Sequence, residues 1–322
     1  MVLPVSLLCL ADITGRTSPR QERPEQIRPQ NATIENNTVE LDLTYDFSLP
    51  GDTSRIRFVV AIPGTIPDRQ KISDIKYSPK PLKVFRENEN RYAEFVFIRP
   101  EKHFKVQINI KAELFRYDLS TARKKQQKRL SKGPGFKDAL LHQQYIEKDA
   151  PEIQQIAKAI TGRAETVIVK NIYDYVVDNM EYDAYVEKNL GALKALQQKK
   201  GDCTEYSSLF VALCRAKNIP ARAVYGYTSE FKDTPRHSWA EVYLKNYGWV
   251  PFDPTAGDVE NPWARTQLYH TMKPIYIYLG QFPKDEALND RLYAAYWRWG
   301  DEIKLDDSIE VRQLPKPTRK SP

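Results

Sequence analysis

One sulfur, one imidazole and one carboxylate draw attention by where they fall in this sequence. Cys203 lies in Gly201-Asp-Cys-Thr-Glu-Tyr-Ser-Ser-Leu-Phe, His237 opens His-Ser-Trp-Ala-Glu-Val-Tyr-Leu, and Asp253 ends the run Gly-Trp-Val-Pro-Phe-Asp. Tyr206, Leu209, Phe210, Leu213 and Ala216 recur at helical spacing, which puts Cys203 on the same side, in the first turn. The unpaired N–H groups and the dipole at that end favour an anion. They predict a lowered thiol pKa and a site able to stabilise an oxyanion. His237 and Asp253 fall on neighbouring predicted antiparallel strands, so folding can set them side by side. In the expected arrangement Asp253 accepts the Nδ1 proton and Nε2 faces the sulfur. The other histidines, His103, His142 and His270, lie away from such a pattern.

Cys214 follows Cys203 by eleven residues on the same predicted helix. That is about 16 Å of helix rise, beyond the ~7 Å between Cα atoms that a disulfide spans. The separation also excludes a shared metal site, and Cys214 reads as a small buried hydrophobe. The chain has no acidic loop of the EF-hand kind, and its Cys and His spacings do not fit zinc, so neither cofactor nor metal is expected.

Three blocks in order, GDCTEYSSLFVALCRAKNIPAR, HSWAEVYL and GWVPFDPT, resemble the bacterial transglutaminase-like superfamily, whose core is similar to that of papain-type cysteine enzymes. The resemblance covers about residues 151–255. It implies Cys203 as nucleophile, His237 as general base and acid, and Asp253 as the group that orients the imidazole. It also implies a second oxyanion donor upstream, for which Tyr182 and Asn179 are candidates. Glu205 reads as holding the helix start. Trp239 and Trp249 read as core aromatics that can also wall a cleft. The implied chemistry is acyl transfer from protein or peptide amides through a thioester, resolved by water or by a lysine amine. The alternative is a catalytically inert binding or scaffolding module on the same core.

Residues of this kind need elements to position them, and the sequence supplies two kinds. The 322 residues are 41% hydrophobic and 28% charged, a globular composition long enough for two cores. Residues 1–11 are apolar and resemble the remains of a secretory signal, from which a location in the cell envelope or outside the cell is expected. Residues 1–30 together read as leader remnant and polar tether. Over residues 31–118 the period is two. Val39, Leu41, Leu43, Tyr45 and Phe47 alternate with polar residues, and Phe104 to Leu114 do the same. This predicts an antiparallel β-sandwich. Residues 119–150 form a basic connector. Arg123, Lys124, Lys125, Lys128, Arg129 and Lys132 account for six of the net +7. This cluster at 123–132 is a candidate contact for an anionic surface, with no specific nucleic-acid binding expected.

From Pro151 the period becomes helical. Helices are predicted after an Asp149 cap, over 164–179, over 192–198 and from Cys203 to the stop at Asn218-Ile219-Pro220. Strands follow at 221–228, 237–245, 248–252, 275–279 and 309–314. Helices first and strands second predict an α+β, papain-like core over 151–314, with helices packed on an antiparallel sheet and Tyr293, Tyr296, Trp297 and Trp299 against it. A basic tail closes the chain at 315–322.

Overall fold

The computed structural model describes residues 36–122, 136–184, 188–230, 234–282, 286–289 and 291–315. The predicted leader and tether, the basic cluster at 123–132 and nearly all of the tail lie outside the described residues.

Alternating sequence yields alternating burial. In β1 (Asn36–Ser48) every second side chain is buried, and β6 (His103–Phe115) shows the same pattern through most of its length. Strands β1, β2 (Thr53–Ala61), β3 (Gln70–Ser78), β4 (Lys83–Glu87), β5 (Asn90–Ile98) and β6 belong to two antiparallel sheets. Phe47 and Tyr45 from one sheet meet Phe58 from the other edge to face, at 5.1 and 4.8 Å between ring centres, so the sheets pack as the expected sandwich. Strands β3 and β4 lie at sheet edges. Their half-exposed, charge-rich sequences carry a weak period, which is why the sequence pattern does not single them out.

The two-residue strand β7 (Tyr117–Asp118) leads out of the sandwich. Then come α1 (Pro151–Ala159), α2 (Glu165–Asn179), β8 (Glu181–Tyr182), α3 (Ala192–Gln198), β9 (Lys200–Gly201) and α4 (Cys203–Ala216). The cap expected of Asp149 is absent. Ala150 occupies that position with no side-chain cap, and Asp149 instead pairs with His142 and Lys148. Proline at the first turn suffices to start α1 because its missing N–H would be unpaired there anyway.

Strands β10 (Ala221–Thr228), β11 (Arg236–Leu244) and β12 (Gly248–Phe252) form an antiparallel sheet that α4 packs against. A helix the period did not reveal, α5 (Pro262–His270), follows. Asn261 caps it through the Trp263 and Ala264 N–H groups, and Pro262 sits at its first position. After β13 (Thr271–Met272), β14 (Tyr276–Phe282) joins the sheet, giving the order β12-β11-β10-β14. The fold is therefore α+β, a sandwich joined to helices on an antiparallel sheet.

The chain then leaves that sheet. β15 (Ala294–Gly300) pairs with β2, and β16 (Lys304–Gln313) pairs with β1. Residues 294–313 thus complete the two sandwich sheets rather than the sheet beside α4, and Trp297 and Trp299 lie under the guanidinium groups of Arg57 and Arg55. Among the described residues, no helix is long and apolar enough to cross a membrane.

Candidate active site

The site begins with a helix cap. Asp202 precedes α4 and accepts the Thr204 N–H at 2.7 Å, while Glu205 reaches back to the Asp202 N–H at 3.2 Å. This reciprocal capping box places Cys203 at the first helical residue. The second Glu205 oxygen accepts the Leu190 N–H at 2.9 Å. Glu205 therefore holds both the helix start and the approach to α3, as expected. Burial, with Asp202 adding like charge, pushes its carboxyl up to about 7.

His237 lies on β11, opposite Gly226 of β10. Its Nε2 donates to Asp253 Oδ2 at 2.7 Å. The expected orientation is thereby reversed: Nε2 serves the carboxylate, and Nδ1 is the nitrogen left for the sulfur. Cys203 and His237 are hydrogen-bonded, and the Ser238 N–H also reaches the sulfur. Cys203, His237 and Asp253 are 5%, 1% and 4% exposed. The three predicted residues converge, in the order sulfur, ring, carboxylate, in a nearly dry setting.

That dryness sets the charges. Burial works against a charged His237, but Asp253 and then Cys203 overcome it and push the ring up to about 10. That upward shift favours the imidazolium at neutral pH. Burial also opposes the charge on Asp253, and the imidazolium, the Ala256 N–H and a tyrosine hydroxyl prevail and keep its pKa low. For Cys203 the expectation of a lowered pKa is corrected. Burial lifts the thiol above its ordinary value, with the His237 charge and the Ser238 N–H pulling the other way. A helix N-terminus alone does not offset desolvation of a thiolate. The His237 charge and the Ser238 N–H offset only part of that cost. Cys214 is fully buried, unpaired with Cys203, and raised much further by burial.

Two residues that sequence reasoning missed grip Asp253. Tyr276 of β14 donates its hydroxyl to the same Oδ2 that takes the imidazole, at 2.7 Å. Tyr173 of α2 donates to the Asp253 backbone carbonyl at 3.0 Å. The only signal for either was chemical, since a tyrosine buried in an apolar element needs a partner for its hydroxyl. Gly226 lets β14 approach closely. A Cβ there would fall 1.9 Å from the Ile277 carbonyl oxygen.

The aromatic expectations divide. Trp239 is fully buried with its ring 6.0 Å from that of His237, so it walls the site from below. Trp249 packs on Tyr243 and under the Arg222 guanidinium, away from the triad. Of the two candidate oxyanion donors, Asn179 is spent on the Tyr175 carbonyl of its own helix. Tyr182 lies on β8, paired with Gly201 just before the cysteine. His103 meets Ser48 in the sandwich and His270 ends α5. Among the described residues, no group of His, Cys, Asp or Glu side chains is arranged to hold a metal ion.

Residues 154–254, which contain all three converging side chains, match the sequence model of the transglutaminase-like superfamily. The chain carries a transglutaminase-like core. The uncharacterized protein YebA of Bacillus subtilis strain 168 is 35% identical over 111 residues, 29% of this chain and 14% of YebA. An uncharacterized protein of Haemophilus influenzae is 28% identical over 129 residues, covering 31% of this chain and 35% of its own. The match thus spans about a third or less of these bacterial relatives. A peptide-N(4)-(N-acetyl-beta-glucosaminyl)asparagine amidase of rice is 33% identical over 70 residues, 21% of this chain and 14% of the amidase. A crystal structure from Cytophaga hutchinsonii, named as a candidate cysteine protease, aligns over 88% of this chain and 93% of that one with a TM-score of 0.63 at 18% identity. That likeness extends the shared fold beyond the transglutaminase-like core to most of the chain.

Proposed function

We propose that this chain is an enzyme that transfers acyl groups from protein or peptide amides through a thioester on Cys203. The reading is carried by the buried 2.7 Å bond between His237 and Asp253, with the other ring nitrogen left to the sulfur. In this mechanism Cys203 reacts through its minor thiolate form, which is paired with the His237 imidazolium and attacks the amide carbonyl carbon. The negative charge that gathers on oxygen is met by N–H groups at the start of α4. The His237 imidazolium gives its proton to the departing nitrogen, the C–N bond breaks, and ammonia or an amine leaves the thioester behind. The neutral ring then takes a proton from water or from an incoming amine, which attacks the thioester. Collapse releases acid or new amide and returns the thiolate and imidazolium. Asp253 orients the ring throughout and stabilises its charge. The name of the rice relative, an asparagine amidase, fits attack on a carboxamide.

Iodoacetamide, with each cysteine read separately by peptide mass spectrometry, tests the nucleophile. Cys203 is expected to react far faster than Cys214 near neutral pH, and His237→Ala to abolish the difference. Equal, slow labelling of both would support an inert scaffold instead. A glutamine-containing protein offered with a fluorescent primary amine separates the outcomes of the thioester: incorporation marks transamidation, and ammonia release alone marks hydrolysis.

A further inference from the structure

The geometry points to Tyr276 as the positioning residue of the catalytic carboxylate, its hydroxyl fixing Asp253 Oδ2 in line with the imidazole. This inference rests on the thioester reading above. Tyr276 lies outside the segment shared with the transglutaminase-like superfamily, on a strand that reaches the site from the far edge of the sheet. Its hydroxyl and His237 Nε2 both lie 2.7 Å from one oxygen, while the other oxygen takes the Ala256 N–H at 3.0 Å. With both oxygens engaged, the carboxylate cannot rotate about its last bond without breaking bonds that burial makes costly to lose. The Tyr276 ring also stands 5.8 Å from the His237 ring and 5.2 Å from that of Trp239, so aromatic surface encloses the imidazolium.

The strand itself is held from outside. Gln70, buried in the sandwich, accepts the Tyr278 N–H at 2.8 Å and donates to the Tyr278 carbonyl at 2.9 Å. This two-point clamp sits two residues from Tyr276. The sandwich thereby reaches the catalytic carboxylate through one strand and one hydroxyl.

The charged and titratable groups around this oxygen are few. His237 comes from β11, Tyr173 from α2, and Cys203 on α4 faces the ring. Glu230 adds negative charge toward Tyr276, and Arg265 and Asp174 act on Tyr173. Tyr276 is the side-chain hydroxyl donor among them to Oδ2. Removing it leaves Asp253 more basic, so the carboxylate takes a proton earlier on acidification, and the imidazolium and thiolate lose their support.

The test follows Cys203 alkylation by iodoacetamide against pH in the full chain, read on the Cys203 peptide. Tyr276→Phe is expected to move the acid limb of the rate toward neutral pH and to slow labelling near pH 6 by about tenfold, the scale of a charged hydrogen bond. Replacement of Tyr276 by 3,5-difluorotyrosine, which keeps the shape and donates more strongly, is expected to move the limb the opposite way. It carries the test alone if the phenylalanine variant does not fold. In an Asp253→Asn background Tyr276→Phe is expected to change the rate less than twofold. An acid limb unmoved by either substitution, or moved the same way by both, overturns the inference while leaving the thioester reading intact. A wild-type Cys203 no more reactive than Cys214 overturns both.

Discussion

The imidazolium of His237 is the charge on which the site turns. Its pKa lies above the ordinary histidine value, at about 10. Such a group contributes stability that is fully present below its unfolded pKa of about 6.5 and is lost as pH rises through its folded value. Asp253 is shifted the other way. Its contribution is present above about 3.8 and is lost as pH falls through its lower folded pKa. Between those limits the pair is charged and bonded. Asp253→Asn is expected to flatten the fall in stability between about pH 7 and pH 10, measured by urea unfolding at several pH values. It is also expected to cut the rate of Cys203 labelling near neutral pH by tenfold or more. An unchanged slope would separate the raised histidine from its carboxylate.

At the scale of elements, the capping box at the start of α4 does two tasks with one side chain. Glu205 closes the helix cap and ties down Leu190. Its carboxyl, raised to about 7 by burial and by Asp202, favours the protonated form in the folded state. That contribution is complete below the unfolded glutamate value of about 4.3 and is lost as pH rises through about 7. Glu205→Gln keeps an acceptor without the charge and is expected to remove this part of the pH dependence with little loss near neutral pH. Glu205→Ala removes both bonds and is expected to cost about 1–2 kcal/mol in urea unfolding. It is also expected to slow Cys203 labelling, because the first turn of α4 then has a looser start. Equal behaviour of the two variants across pH would deny Glu205 its titrating role. The existence of this helix was legible in the sequence because cap, acid and apolar stripe all lie within a few consecutive residues. Helix α5 shows the limit of that method. Its apolar face is poor, and only Asn261-Pro262 announces it.

Across the whole molecule, the sandwich and the sheet that bears His237 meet along their edges. β14 ends the sheet beside α4, and two buried carboxamides from the sandwich satisfy its outer backbone groups. Gln70 bonds Tyr278, and Asn90 donates to the Gln281 carbonyl and accepts its N–H at 3.0 and 2.9 Å. An edge capped this way cannot recruit a further strand. On the other side, Arg236, next to His237, pairs with Asp307 of β16, and Tyr293 donates to the His237 carbonyl at 3.5 Å. Gln70→Ala would strand two buried backbone groups at about 1–3 kcal/mol each. The expected result is a drop in urea stability accompanied by slower Cys203 labelling, since the clamp lies beside Tyr276. A stability loss with labelling unchanged would uncouple the sandwich from the site.

Three features of this protein were determined by local sequence: the sandwich strands with a clean two-residue period, the helix that begins at Cys203, and the strands that bear His237 and end beside Asp253. Each rests on periodicity and caps, which act between residues a few positions apart. The tertiary structure decided the rest. Residues 309–314 read as a strand and the aromatics at 293–299 as packing on the sheet beside α4, whereas pairing with β1 and β2 was chosen by packing across the chain rather than by any pattern within them. The ring of His237 turned Nε2 to the carboxylate because the placement of Asp253 and Tyr276 in space allows that bond. The thiol pKa rose because desolvation depends on everything packed around it, a quantity that no stretch of neighbouring residues contains.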